Sequence, residues 1–344
     1  MITDLPRTSA LTPAEINRLG TAFCTAKIVL SALELGLFTE LANGPMTETE
    51  LLPAVGLHAR GARDFLSVLV ALGLLTVRDG RYRNSPEADL YLDRGSAEYA
   101  GGFLERANHM MYQAWAGLTA GLQTGAPQLA GRENQEAAFA KMMLDPDHLR
   151  RFLGMMDALN GPLGAQLAGE FDWSGYHTVV DVGGARGNFI AQLLRAHPHL
   201  IGTVFDLPPM AEPFAEHMAA FGQRATFTGG DFFTDPMPSG DVLVMGHVLH
   251  DWAPDQRAQL IQSACQAVNP GGALVVYDQM VDDQAPDIWN SVISLNMQLL
   301  TPSGSEYTAA ECRAWMRAAG IDDLTAIALG EHDTAVIGRK PRSR

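Results

Sequence analysis

The chain has 344 residues, 47% hydrophobic and 18% charged, and a formal net charge of −15 from 24 basic and 39 acidic side chains. That length allows two domains with full cores, the composition excludes disorder and fibrous classes, and the negative balance argues against a nucleic-acid or anionic-membrane surface. Cys24, Cys265 and Cys312 are widely spaced with no C-x-x-C, and neither a leader pattern nor a membrane-spanning apolar run is present, so a soluble, cytoplasmic, reduced protein is expected.

Thr12-Pro13-Ala14-Glu15 is a capping box with proline at the first helical position. The helix it opens carries Ile16, Leu19, Phe23, Ile28, Leu30 and Leu33 and is predicted to run to Gly36. Thr47-Glu48-Thr49-Glu50 caps a short helix ended by Gly56, and a third helix covers Ala59 to Leu72. Leu74-Leu75-Thr76-Val77, then Asp79-Gly80, then Tyr82 is a hairpin signal. This is a winged-helix arrangement, but its candidate recognition helix offers only Arg60 and Arg63 as bases. Residues 1–100 are therefore expected to form a packing and dimerisation domain, with no nucleic acid bound, and the chain to be a homodimer.

Residues 101–168 are helical in pattern and rich in methionine and aromatic side chains: Met110, Met111, Tyr112 and Trp115, then Met142, Met143, Met155 and Met156. Core and interface packing accounts for most of these. The clustering also suits a pocket for a flat aromatic ligand, because methionine adapts to rings; Met111, Trp115, Met155, Met156 and Asn160 are its candidate lining.

Strand–helix alternation begins at residues 169–175 and defines a third segment, 169–344. Strands are predicted at His177–Val182, Gly202–Phe205, Ala225–Phe227, Asp241–Met245, Ala273–Tyr277, Leu324–Ala328 and Thr334–Gly338, with helical patterns at 187–196, 208–221, 255–268 and 309–319. Such alternation implies an α/β, doubly wound (Rossmann-like) sheet of seven strands, whose ligands lie beyond the strand carboxyl ends.

Every chemical motif falls there. After the first strand, Asp181-Val182-Gly183-Gly184-Ala185-Arg186-Gly187 leads into a helix, a loop in which glycines allow positive φ and close ligand approach. Asp206, followed by Leu207, ends the second strand and suits a ribose diol. Gly230-Asp231-Phe232 follows the third strand, where the carboxylate could take an adenine amino group and the ring its face. The spacing Asp181-x-Gly183-Gly184-x-x-Gly187 resembles motif I of class I S-adenosylmethionine (SAM) methyltransferases, except that Ala185 stands where a third glycine is usual; alanine is strained there if φ is positive. Met245-Gly246-His247-Val248-Leu249-His250-Asp251-Trp252 follows the fourth strand. With the glycine loop and the helical N-terminal module, this His-Asp-Trp resembles the plant caffeic-acid-type O-methyltransferase family and its bacterial natural-product branch, over residues 10 to 340.

The resemblance implies SAM as cofactor, S-adenosylhomocysteine (SAH) as product, a homodimer, and a seventh strand that runs antiparallel. It makes His250 the catalytic base, Asp278 and Glu306 (in Gly304-Ser305-Glu306-Tyr307-Thr308) its supporting acids, and puts Trp252 by the adenine. Asp278 replaces the usual glutamate, one methylene shorter. Gly246 stands where plant members carry a lysine on the SAM carboxylate. Asn296 and Met297 fall at acceptor-pocket positions; His247 is either structural or pocket-lining. Histidine with flanking carboxylates is chemically apt, since the acids fix its tautomer and stabilise the imidazolium formed by general base catalysis. No metal site is expected from spacing, and a hydrolase lacks its G-x-S-x-G elbow. The expected activity is O-methylation of a small aromatic or phenolic metabolite; C- or N-methylation on the same scaffold, and a ligand-responsive regulator, are the alternatives.

Overall fold

The computed structural model describes residues 11–128, 145–282 and 284–342. Met142 and Met143 lie outside the described residues. Two compact units divide the chain, Met1–Ala116 and Gly117–Arg344. The division falls inside the segment 101–168 set apart above, and its long helix packs within the second unit.

In the first unit, the capping box holds as expected: Thr12 and Glu15 cap α1 (Pro13–Gly20) reciprocally. The single helix predicted to reach Gly36 is in fact two, α1 and α2 (Ala22–Glu34). At the break, the Thr21 hydroxyl donates to the Asn17 carbonyl at 2.8 Å, a side-chain alternative to the helical ladder. Gly36 takes φ 69° and opens α3 (Leu37–Ala42). Strand β1 (Met46–Thr47) precedes α4 (Glu48–Ala54) and α5 (Ala59–Ala71). The hairpin forms from β2 (Leu75–Arg78) and β3 (Arg81–Asn84). Both its turn residues have positive φ, Asp79 at 52° and Gly80 at 73°, as a type I′ turn requires. Two-residue β1 joins the far side of β3, giving the order β1-β3-β2. α6 (Pro86–Tyr91), α7 (Gly102–Arg106), a π-helical turn (Ala107–Met111) and α8 (Tyr112–Ala116) complete the unit. Its core is Leu33, Leu37, Phe38, Leu51, Leu66 and Leu69.

The second unit opens with α9 (Leu118–Thr124) and α10 (Pro146–Glu170). Then come β4 (Thr178–Val182), α11 (Asn188–Ala196), β5 (Ile201–Asp206), α12 (Ala211–Met218), β6 (Ala225–Gly229) and β7 (Gly240–Gly246). α13 (Pro254–Ala267), β8 (Val268–Asp278), α14 (Ile288–Leu300), α15 (Ala309–Ala318), β9 (Asp323–Leu329) and β10 (Asp333–Arg339) follow. The sheet order is β6-β5-β4-β7-β8-β10-β9, and β10 runs antiparallel to both neighbours. All seven predicted strands are present.

Strand residues alternate between faces, so β4 serves two cores. Val179 packs with Leu163 and Leu167 of α10 and Phe189 and Leu193 of α11. Val180 packs on the opposite side with Leu260 and Ile261 of α13 and Cys312 and Met316 of α15. With both faces covered, the parallel strands present functional groups only at their carboxyl ends. No helix among the described residues is long and apolar enough to cross a membrane.

Candidate active site

At the end of β7 the chain enters a tight corner. His247 takes φ 53° and its N–H donates to the Tyr277 carbonyl. A short 3-10 turn, Leu249–Asp251, then carries His250. The Nδ1 of His250 lies 2.7 Å from Glu306 Oε1 and 3.4 Å from Asp278 Oδ1, both acids being buried. Glu306 is thus the hydrogen-bond partner, while Asp278, with its shorter reach, stands at ion-pair distance. Burial disfavours the imidazolium, but the Glu306 and Asp278 carboxylates outweigh it and raise His250 to about 10. Asp278 is itself pushed up to about 7 by burial, and its Oδ2 accepts from the Tyr307 hydroxyl at 2.5 Å. With Nδ1 directed at Glu306, Nε2 is the nitrogen left for an acceptor proton.

The backbone around this group is braced by a residue the sequence did not single out, Arg257. Arg257, buried, donates to the Leu249 carbonyl at 3.0 Å and to the Ser305 carbonyl at 2.7 Å, tying the histidine turn to the loop that carries the glutamate. Ser305 N–H donates to the His250 carbonyl at 2.9 Å. A Cβ at Gly304 would lie 2.7 Å from that same oxygen, which explains the glycine. His247 Nε2 pairs with Asp333 Oδ1 at 2.6 Å, and its ring stacks on His250 with centroids 5.7 Å apart. His247 is therefore held by Asp333 and stacked against the candidate base.

The glycine loop crosses the end of β4. Gly183, Ala185 and Gly187 all have positive φ, 76°, 49° and 86°. Ala185 is thus in the strained conformation that its replacement of glycine implied. What holds it is Asp206: one carboxylate oxygen accepts from Ala185 N–H at 2.8 Å, the other from Leu207 N–H at 2.7 Å. A Cβ at Gly184 would fall 2.4 Å from Asp181 Oδ2, so the loop lies directly over that carboxylate. Burial raises Asp181 to about 7 and Asp206 to about 6, the neighbouring Asp206 charge adding to the shift at Asp181.

Beyond β6, Asp231 Oδ1 accepts from Phe233 N–H at 2.9 Å and shapes its own turn. Phe232, Phe233 and Trp252 form an edge-to-face cluster, Phe232 and Trp252 at 5.7 Å and Phe233 and Trp252 at 4.6 Å. The two aromatic residues expected near an adenine, Phe232 and Trp252, are therefore neighbours, although 20 positions apart in the chain.

Among the expected acceptor-lining residues, Met155, Met156 and Asn160 lie on α10, and Asn296 and Met297 on α14; Met155 and Asn296 are buried. Asn160 Oδ1 accepts from the Tyr277 hydroxyl at 3.3 Å. Met111 closes the π-helical turn and Trp115 lies on α8 in the first unit. A cavity of about 270 Å³ between α9 and α14, bounded by Leu118, Leu122, Leu299 and Ser305, takes in none of these side chains.

Residues 115–322 match the O-methyltransferase domain, and residues 18–94 the O-methyltransferase dimerisation domain. The chain belongs to the O-methyltransferase family. The tetracenomycin polyketide synthesis 8-O-methyl transferase TcmO of Streptomyces glaucescens is 47% identical over 342 residues, covering 98% of this chain and 99% of that protein. The N,N-dimethyltransferase OxyT of Streptomyces rimosus is 40% identical over 321 residues, 93% of each chain. The crystal structure of human N-acetylserotonin methyltransferase in complex with SAM matches with a TM-score of 0.86 at 25% identity, over 98% of this chain and 100% of that one. This protein is accordingly a SAM-dependent O-methyltransferase, with a Rossmann-like sheet and an N-terminal dimerisation domain.

The loop of this methyltransferase fits such a cofactor on its own chemistry. SAM carries two cationic groups, the ammonium and the sulfonium. Asp181 Oδ2 is buried with no hydrogen-bond partner, and Asp206 lies next to it, so a cation nearby offsets a desolvation cost that is otherwise unmet. His250, Asp278 and Glu306 also have the spacing of a metal site. Their donor set is equally that of a histidine base with two supporting acids.

Three further positions had no local signal. Arg186, in the glycine loop, pairs with Asp157 of α10, and Asn188 donates to the Asp157 carbonyl at 3.2 Å, so the loop is tied to the helix bearing Met155, Met156 and Asn160. The third is Tyr277. Its ring fills the space beside Gly246, where the plant lysine would project: a Cβ there would meet Tyr277 Cζ at 1.9 Å.

Proposed function

We propose that this methyltransferase methylates a hydroxyl of a small aromatic metabolite, with His250 as general base. The observation that carries this is the 2.7 Å contact between His250 Nδ1 and Glu306, backed by Asp278. SAM, when bound, supplies a methyl group on a sulfonium, so the protein's tasks are alignment and proton removal. Nδ1–H donates to Glu306, which fixes the ring and leaves Nε2 to take the phenolic proton. A phenol has a pKa of about 10 and an ordinary histidine about 6.5, a mismatch of roughly 5 kcal/mol. With His250 raised to about 10 by its carboxylates, that mismatch all but disappears. The same shift means that His250 must first lose its own proton, which sets a pH requirement taken up below.

The cofactor roles follow the motif. Gly183, Gly184 and Gly187 give the backbone close approach, Asp181 faces the cationic end, Asp206 and Leu207 lie at the ribose, and Asp231, Phe232 and Trp252 at the adenine. Met155, Met156, Asn160, His247, Asn296 and Met297 line or support the acceptor side.

Homodimerisation through the N-terminal domain is part of the same reading. Ile16, Leu19 and Phe23 form one stripe on α1–α2, and are 54%, 44% and 57% exposed. An apolar stripe of that kind calls for a partner surface, and the matching dimerisation domain begins within it. Light scattering at micromolar concentration should give a dimer, and Phe23→Asp should shift it toward monomer; a monomeric wild type would refute the reading.

The activity test is incubation with SAM and paired phenols and aromatic amines, read by mass. A gain of one methylene on the phenols is the expected result. Methylation of the amines in preference to their phenolic counterparts, as the relation to OxyT allows, would move the acceptor atom to nitrogen.

A further inference from the structure

Gly246 and Tyr277 are partners across β7 and β8. Tyr277 is 2% exposed, and its ring lies over Gly246 so closely that a Cβ at 246 would sit 2.2 Å from the phenolic oxygen. One volume is thus shared by the two positions, and glycine at 246 is the condition for the tyrosine at 277. The ring is bracketed by Phe189 in the first turn after the glycine loop, 5.8 Å between centroids, and by His247, 5.4 Å away, which in turn stacks on His250. Tyr277 therefore stands between the cofactor loop and the proposed base.

Its hydroxyl is poorly occupied. Its one hydrogen bond among the described residues, to Asn160 Oδ1, is 3.3 Å long, against roughly 2.7–2.8 Å for a well-made O–H···O bond. The acids converging on this edge, Asp181, Asp206, Asp278 and Asp333, are acceptors. Burial, then the carboxylates of Asp181, Asp333 and Asp278, hold the Tyr277 phenol well above its usual range, so the hydroxyl keeps its proton and remains a donor. Arg186, the cation in the glycine loop, is engaged by Asp157.

The sheet order indicates what such a donor meets. Taken as proposed above, the adenine lies by β6 and the ribose at Asp206 on β5, so the remainder of the cofactor extends across β4 toward β7 and β8. That remainder is the amino-acid end, whose carboxylate needs donors among these acids. We propose that Tyr277, seated in the space opened by Gly246, exchanges its long bond to Asn160 for one to the cofactor, donating its hydroxyl to the carboxylate of the amino-acid end. This rests on the cofactor site proposed above.

Two probes separate the parts of the claim: SAH, which carries the amino-acid end, and 5′-methylthioadenosine, which lacks it. Titration calorimetry on the full chain should show Tyr277→Phe weakening SAH roughly 10- to 100-fold, the factor expected of a hydrogen bond to a charged group. Methylthioadenosine affinity should be unchanged, since phenylalanine keeps the ring that fills the space beside Gly246. Equal losses for both probes would assign Tyr277 to packing and overturn the proposal, as would unchanged SAH affinity. A wild-type protein that binds neither probe would instead remove the underlying cofactor site, and this inference with it.

Discussion

His250 Nδ1 is 2.7 Å from Glu306 and 3.4 Å from Asp278, so the two acids do unequal work. Both raise the imidazole, to about 10, yet Glu306 alone is at hydrogen-bonding distance and fixes the ring. Glu306→Gln should therefore reduce turnover more than Asp278→Asn. The wild-type kcat/KM should climb with pH into the alkaline range, because a base raised to about 10 is neutral only above that value. Removing either carboxylate lowers the imidazole pKa and should move the acidic limb to lower pH, with a lower plateau. An acidic limb that stays in place in both variants would dissociate it from His250.

His250→Gln should bind SAH almost normally and lose about 10²–10⁴-fold in turnover of a phenol, the usual contribution of general base catalysis. Glutamine keeps size and polarity but cannot take the proton. Alkaline pH should restore part of the rate, because bulk ionisation of the phenol replaces the missing base. A variant with wild-type rates from mildly acidic to mildly alkaline pH would leave catalysis to positioning alone.

Asp206 accepts from the Ala185 N–H at 2.8 Å, and the proposed cofactor site adds the ribose to its partners. Its carboxyl, raised by burial to about 6, is ionised above that pH and neutral below it. A diol donates best to the ionised form, so SAH affinity should fall as pH drops through about 6 and hold steady above it. Asp206→Ala should weaken SAH by about one to two decades and flatten this dependence, since a hydrogen bond to a charged group contributes about 1.5–3 kcal/mol. Calorimetric titrations of both proteins across this range decide the point; unchanged affinity in the variant would move the ribose elsewhere.

Ala185→Gly isolates the strain at φ 49°. A left-handed conformation costs a residue with a Cβ about 1–2 kcal/mol, and glycine's greater loss of freedom on folding offsets about 0.5–1 kcal/mol of that gain. Thermal unfolding should show a variant from equal in stability to about 1.5 kcal/mol more stable. Clear destabilisation would mean that the alanine methyl makes packing contacts worth more than the strain.

The features legible in the sequence are those whose signal is local. Strand, glycine loop and helix follow one another within a few residues, so Asp181, Gly183 and Gly187 could be located by spacing alone. Capping boxes at Thr12, Thr47 and Thr308 marked their helices for the same reason. The pairings that were missed are tertiary contacts instead: His247 to Asp333 across 86 positions, Arg257 to Ser305 across 48, Tyr277 to Asn160 across 117. Nothing near Asp333 or Asn160 in the chain announces such a partner. β1 escaped because two residues carry no periodicity, and the break at Thr21 because apolar positions continue past it on both sides.

The place of β10 in the sheet has a consequence for biosynthesis. β10 follows β9 in the chain but lies between β9 and β8, and its first residue, Asp333, is the one that pairs with His247. As the chain emerges from the ribosome, β9 has no edge to join until β10 arrives, and the ring behind His250 has no acid. The glycine loop and the His250–Glu306 pair are built from earlier segments, but the His247–Asp333 pair closes only when the antiparallel strand inserts.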